Sequence, residues 1–225
     1  MTPRAGGSLV NVATHGVETL SAQDDRHLAR AAELLLAGRL VVLPTDTVYG
    51  LAALPTREGV AAIRAAKGRP ADKPIPLLAS DATRLAELGV VLTAEAAQLA
   101  ARYWPDPLTL VVNAPTELAQ ALGAADGTAG VRVPDHTALR RVIEMCGGAL
   151  AITSANRSGD PEARSAAEAA LALGAAIAAV VDGGPSGAGE PSTVVHCAGG
   201  PPQILRAGSL ADEIALRLRT HDAAP

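Results

Sequence analysis

The chain has 225 residues, of which 48% are hydrophobic and 19% charged, enough apolar material for one sizeable core and too much for a disordered protein. Aromatics make up 1%, with no Phe, so Ala, Val, Leu and Ile build the core and an aromatic stacking platform for single-stranded nucleic acid is excluded. A formal charge of −4 argues against a surface wholly given to nucleic acid and leaves room for one local basic patch.

Residues 1–21 read as an N-terminal extension, in which MTPRAGGSLVNVATHG lacks the continuous apolar core of a signal peptide. Ser21, followed three residues later by Asp24, predicts a helix start; the helix runs through Leu34 to Leu36 and Gly38 ends it. A strand is expected over 40–43, stopped by Pro44. Further helices are expected over 57–66, 83–88, 94–103, 137–146, 166–173 and 210–219. Strands are expected over 75–79, 108–113, 130–133, 150–153, 177–181, 192–196 and 203–206. The longest apolar stretch, 175–181, is far short of the ~20 residues of a membrane helix and reads as a buried strand. With no linker, repeat or shift in composition, 22–210 reads as one domain, a sheet covered by helices on both faces, followed by a C-terminal helix and tail over 211–225.

Cys146 and Cys197 are the only cysteines and sit in no CxxC or Cys/His ligand spacing, so neither a disulfide framework nor a zinc site is expected, and a reducing cytosol fits. His15, His27, His136, His196 and His221 are scattered without ligand spacing; each reads as a surface or helix-end residue, and no metal site is expected. Walker, GxGxxG and nucleophile-elbow signatures are absent.

The unusual residues cluster. Of 19 basic residues 17 are Arg, and the two Lys, Lys67 and Lys73, lie six apart in KGRPADKP. A compact ammonium on a flexible stem suits phosphate oxygens, and an exposed helix end explains the run equally well. In PTDTVYGL, the expected strand meets Thr45, Asp46, Thr47 and Tyr49, a polar set where open α/β sheets place ligands, or a turn satisfied by its own hydroxyls. TSANRSG, also after a strand, offers Ser154 and Asn156 as short donors and acceptors for a ligand or as caps. GAGEPSTVV brings glycines up to Ser192 and Thr193, and ILRAGS closes a short strand with Arg206.

PTDTVYGL, KGRPADKP, YWPDPLTL, GVRVPDH, TSANRSGDP, STVV and ILRAGS, in this order and spacing over about Ala22 to Leu210, resemble the YrdC domain family, the threonylcarbamoyl-adenylate synthases. The chain ends soon after ILRAGS and is similar to the family's short form. The resemblance implies an α+β fold of three layers: a twisted mixed sheet with helices on both faces and a concave, positively charged cavity. It implies that L-threonine, bicarbonate and ATP, with Mg²⁺ on the triphosphate, give threonylcarbamoyl-AMP and pyrophosphate in the cytoplasm. A tRNA threonylcarbamoyl-transferase complex would receive the product; contact with tRNA is a further possibility, and no membrane is involved.

Carried onto this sequence, the resemblance implies that Lys67, Arg69 and Lys73 stabilise charge on the phosphates in catalysis. It implies ATP contacts from Arg69, Lys73, Thr128, Ser154, Asn156 and Arg206, and threonine contacts from Thr45, Tyr49, Arg132 and Ser192. Asp46 invites a general-base role but ranks lower, since ATP phosphates would repel a carboxylate. Asp106 departs from the family's usual Gly, and Leu78 lies near a frequent His. The alternatives are a paralogue with another carbamoyl or acyl substrate and a non-catalytic RNA-binding module.

Overall fold

A computed structural model describes residues 16–187 and 190–221. Its strands are β1 (Glu18–Ser21), β2 (Val41–Leu43), β3 (Gly50–Ala53), β4 (Leu77–Ala79), β5 (Leu108–Asn113), β6 (Thr128–Arg132), β7 (Ala149–Ser154), β8 (Ala179–Asp182), β9 (Thr193–His196) and β10 (Gln203–Arg206). Its helices are α1 (Asp25–Leu36), α2 (Arg57–Lys67), α3 (Ala82–Glu87), α4 (Ala94–Tyr103), α5 (Thr116–Leu122), α6 (Thr137–Met145), α7 (Ala166–Leu173) and α8 (Ala211–His221), with a 3-10 turn at Gly174–Ala176. The strands join one mixed sheet in the order β1-β8-β2-β3-β7-β4-β6-β5-β9-β10.

Side chains alternate across a strand, so the register assigns each residue to a face. One face carries Val42, Leu51, Leu77, Leu108, Leu110, Val131 and Val195, packed against Val60 and Ile63 of α2, Leu99 of α4, Leu122 of α5, Leu173 of α7 and Ile214 of α8. Burying each large aliphatic side chain contributes about 1.5–3 kcal/mol, which compensates for the scarcity of aromatics. The other face carries Leu20, Val41, Leu43, Ala52, Leu150, Ile152 and Val181 under Leu28 and Leu35 of α1 and Leu139, Val142 and Ile143 of α6. That helical cover stops in mid-sheet. Beyond it, β6, β5 and β9 turn Thr128, Gly130, Arg132, Thr109, Val111, Val194 and His196 toward an open hollow. The expected three-layer arrangement, with helices on both faces, is therefore present, and its third layer covers only part of the sheet.

Helix ends follow local chemistry. Thr56, Asp81, Thr93 and Ser165 accept backbone N–H bonds at the starts of α2, α3, α4 and α7, and α2 ends on Gly68 at φ 64, a left-handed residue. Asp24, not Ser21, caps α1. Ser21 belongs to β1, which pairs with β8 although it falls inside the stretch expected as an extension. Two further elements, β3 and α5, had no sequence expectation. β3 reads GLAA, without a β-branched residue, and owes its form to pairing on both sides with β2 and β7; α5 begins without a side-chain cap. The strand expected over 177–181 occupies Ala179–Asp182, displaced by the 3-10 turn. The expected 75–79 shortens to Leu77–Ala79 after Pro74 and Pro76.

Candidate active site

The hollow has a volume of about 1050 Å³. Its floor is the uncovered part of the sheet. Gly130, between Thr128 and Arg132, keeps that floor low, since a Cβ there would already touch Thr109 Cγ2 at 3.4 Å. The walls come from the loop between β2 and β3, the segment after α2, the segment after β7 and the approach to β9.

In the first wall, the Thr45 hydroxyl organises a tight turn. It donates to the Val48 carbonyl at 2.6 Å and accepts from the backbone N–H of Thr47 at 3.0 Å and of Val48 at 3.3 Å. The turn is thus satisfied by its own hydroxyl, and Thr45, Thr47 and Tyr49 also line the cavity. Asp46 pairs with Arg132, whose side chain is 6% exposed. Burial lowers the guanidinium's proton affinity and the Asp46 carboxylate opposes that shift. Tyr49 is fully buried; its hydroxyl donates to the Gly184 carbonyl at 2.6 Å and accepts from the Gly183 N–H at 3.1 Å. Tyr49 borders the cavity, while its polar end ties the wall to the end of β8.

In the second wall the three cations separate. Arg69 lines the cavity, and it donates to the carbonyls of Lys73 at 3.2 Å and Pro74 at 2.9 Å. Arg64 also reaches the Pro70 and Lys73 carbonyls, so two guanidiniums hold this segment in shape. Lys73 is exposed and stands outside the lining, between Asp72 and Pro74, which belong to it. Lys67 is buried and also outside the lining. Its ammonium donates to the carbonyls of Ser154 and Asn156 and to Asn156 Oδ1. Burial pushes it down to about 8, and nearby Arg69 adds to the shift. An ammonium engaged by three protein oxygens has no free edge for a phosphate, so this geometry gives Lys67 a supporting place. Ser154 lines the cavity and donates to Asn156 Oδ1 at 2.6 Å. Asn156 lies behind it and donates to the Asp160 carbonyl at 2.6 Å.

At the far end, Arg206 donates to the Ser192 carbonyl from Nε at 3.1 Å and from Nη2 at 2.9 Å, and to Ser192 Oγ at 3.0 Å. Ser192 Oγ also meets Thr109 Oγ1 at 2.8 Å, and Thr128 donates to Asp126 at 2.7 Å. Thr45, Tyr49, Arg69, Thr128, Arg132, Ser154, Ser192 and Arg206 therefore share one hollow, and Lys67, Lys73 and Asn156 do not line it. The expected positive charge is not evident in the lining, which holds Arg69, Arg132 and Arg206 together with Asp72, Asp126 and Glu162.

Sequence reasoning missed Thr109, Glu162 and His196 as lining residues. Thr109 was legible from its place in YWPDPLTL. His196 follows from strand alternation with Val194 once β9 is placed. No local signal marks Glu162.

Comparison with known proteins places this geometry. The Sua5_yciO_yrdC family model, described as telomere recombination, matches residues 33–208. The chain belongs to this family. Threonylcarbamoyl-AMP synthase of Bacillus subtilis is 38% identical over 192 residues, covering 84% of this chain and 56% of that protein. Threonylcarbamoyl-AMP synthase of Pyrococcus abyssi is 36% identical over 198 residues, covering 86% and 58%. Among solved structures of the family, that of Pyrococcus abyssi Sua5 complexed with L-threonine superimposes with a TM-score of 0.84 at 34% identity, over 90% of this chain and 60% of that one. The chain thus spans a little over half the length of these two curated relatives.

Proposed function

We propose that this chain is a threonylcarbamoyl-AMP synthase, an enzyme of the nucleotidyltransferase class. The threonine nitrogen takes up bicarbonate carbon with loss of water, giving a carbamate. A carbamate oxygen then attacks the α-phosphorus of ATP, and pyrophosphate leaves. The work required of the protein is positioning and charge stabilisation. Arg132 with the Thr45 turn would hold threonine, and Arg69, Thr128, Ser154, Ser192 and Arg206 would hold the nucleotide and the amino-acid end that meets it. Lys73, exposed at the rim, would reach the triphosphate by swinging its stem. Lys67 and Asn156 would shape the Ser154 segment.

One observation carries the reading: side chains from seven separated sequence motifs contribute to, or directly support, a single hollow of about 1050 Å³. That volume lies at the upper end of the ~300–1,000 Å³ of small-molecule sites and suits two substrates side by side. Two relatives carry the synthase name, and a related structure holds L-threonine. Magnesium is proposed to enter as part of the nucleotide substrate. The product would pass to a tRNA threonylcarbamoyl-transferase complex. Among the described residues no helix is long and apolar enough to cross a membrane.

The test incubates the chain with MgATP and bicarbonate, with and without L-threonine, and follows pyrophosphate and adenylate product. Threonine-dependent release of pyrophosphate is expected; release indifferent to threonine would refute the synthase assignment.

A further inference from the structure

The reaction as proposed gives Asp46 no part, yet its side chain is only 11% exposed. Arg132 lines the cavity and Asp46 does not. Among the described residues Asp46 is the only ion-pair partner of Arg132. Without it the buried fork would lose its ion-pair partner and keep only the weaker, unbonded influence of the Asp106 carboxylate.

A guanidinium presents five N–H donors in a fixed plane. Arg132 Nη2 donates to Asp46 Oδ2 and Nη1 reaches Thr47 Oγ1 at 3.5 Å, while the buried Nε has no protein partner. Donors are therefore left over. Asp46 Oδ2 also accepts the Asp135 backbone N–H at 3.3 Å. One carboxylate thus ties the loop before β3 to the loop after β6, across the intervening β7 and β4. Asp46 Oδ1 is buried and unpaired, so the whole interaction rests on one oxygen.

We infer that Asp46 is a positioning residue for the amino-acid substrate: it neutralises Arg132 and fixes its fork so that the remaining N–H groups meet the threonine carboxylate. This rests on the assignment of Arg132 to threonine. It also means that Asp46 does not serve as the general base.

Calorimetric titration with L-threonine and, separately, with MgATP tests this on Asp46→Asn, Arg132→Met and the double variant. Asp46→Asn is expected to weaken threonine at least tenfold and MgATP no more than twofold. Arg132→Met should weaken threonine further, and the double variant should match Arg132→Met within twofold, because a positioning residue has nothing left to position. Wild-type threonine affinity in Asp46→Asn, or losses that multiply in the double variant, overturns the inference. Wild-type affinity in Arg132→Met overturns the assignment of Arg132 itself, and the inference with it. Should Asp46→Asn not fold, Asp46→Glu carries the test: it keeps the charge one methylene further out, and threonine should weaken twofold to tenfold with MgATP unchanged. An unaltered threonine affinity in that variant overturns the inference equally.

Discussion

Lys67 illustrates how a motif residue acquires its role from its surroundings. Its ammonium satisfies the carbonyls of Ser154 and Asn156 and the Asn156 side chain, so replacing it with Met takes the donor from two carbonyls, while Asn156 Oδ1 keeps the Ser154 hydroxyl. Each unsatisfied group costs about 1–3 kcal/mol, and the Ser154 segment should slacken. Lys67→Met is expected to lower kcat/KM for ATP at least tenfold, with a reduced melting temperature, in steady-state assays and calorimetry. The pH dependence has a definite sign. The folded value lies near 8 against the ordinary 10.5, so between these values the unfolded chain binds the proton more readily than the folded one. The wild type should therefore gain stability relative to Lys67→Met as pH rises from about 8 to 10.5, measured as the difference in melting temperature; a flat difference would contradict the burial of the charge. Gly50 poses a steric test on the cavity wall. A Cβ there would sit 2.6 Å from Ile152 Cγ2 and 3.3 Å from Thr45 Cγ2. Gly50→Ala should cost about 1–3 kcal/mol as overpacking and raise the threonine KM through the displaced turn, which denaturation and saturation kinetics would read separately.

At the scale of the element, α6 begins on His136, whose Nδ1 accepts the Leu139 N–H at 3.2 Å. The bond needs a neutral imidazole, and burial holds the His136 pKa below its ordinary value. As pH falls through the ordinary histidine range, the unfolded chain takes up a proton that the folded chain refuses, so stability is present above that range and lost below it. His136→Asn keeps a capping acceptor without the titration. It should remain within about 1 kcal/mol of wild type at neutral pH and show a flatter melting temperature from pH 7 to pH 5. The expected helix over 137–146 and the reading of His136 as a surface or helix-end residue already put it at this end; its capping bond was not legible, because His is an uncommon cap, whereas Thr56, Thr93 and Ser165 follow ordinary cap chemistry. β1 and β3 were missed for a related reason. LAA in β3 has no periodicity of its own, and Glu18–Ser21 is ordered by β8, whose place in the sheet no local pattern reveals.

For the whole molecule, the separated motifs gave most of the cavity, because hydroxyls and guanidiniums at strand ends converge wherever strands share a sheet. What the motifs could not give was depth. Lys67 and Lys73 look equivalent in KGRPADKP, but one is buried behind the wall and the other is exposed, a difference set by where α2 ends on Gly68. The balance of charge in the lining was equally out of reach, since Asp126 and Glu162 arrive from segments with no motif signature. Ligands that bind this hollow stabilise the fold by mass action. At about 100 times its dissociation constant, a ligand adds about 2.7 kcal/mol, roughly 5–10 °C in melting temperature for a chain of this size. MgATP with L-threonine should produce such a shift in differential scanning fluorimetry, and D-threonine should not add to the shift from MgATP alone.

The half-covered sheet also separates the chain's obligations by parity. Along β6, Ala129 and Val131 are packed into the apolar interior while Thr128, Gly130 and Arg132 border the hollow; along β5, Leu108, Leu110 and Val112 do the former and Thr109 and Val111 the latter. Substitutions at 109, 111, 128 and 130 can therefore redraw what the hollow accepts without disturbing the interior, whereas 132 is bound to the buried Asp46; a lineage, or a combinatorial library confined to those four positions, could explore new acceptors on an unaltered scaffold.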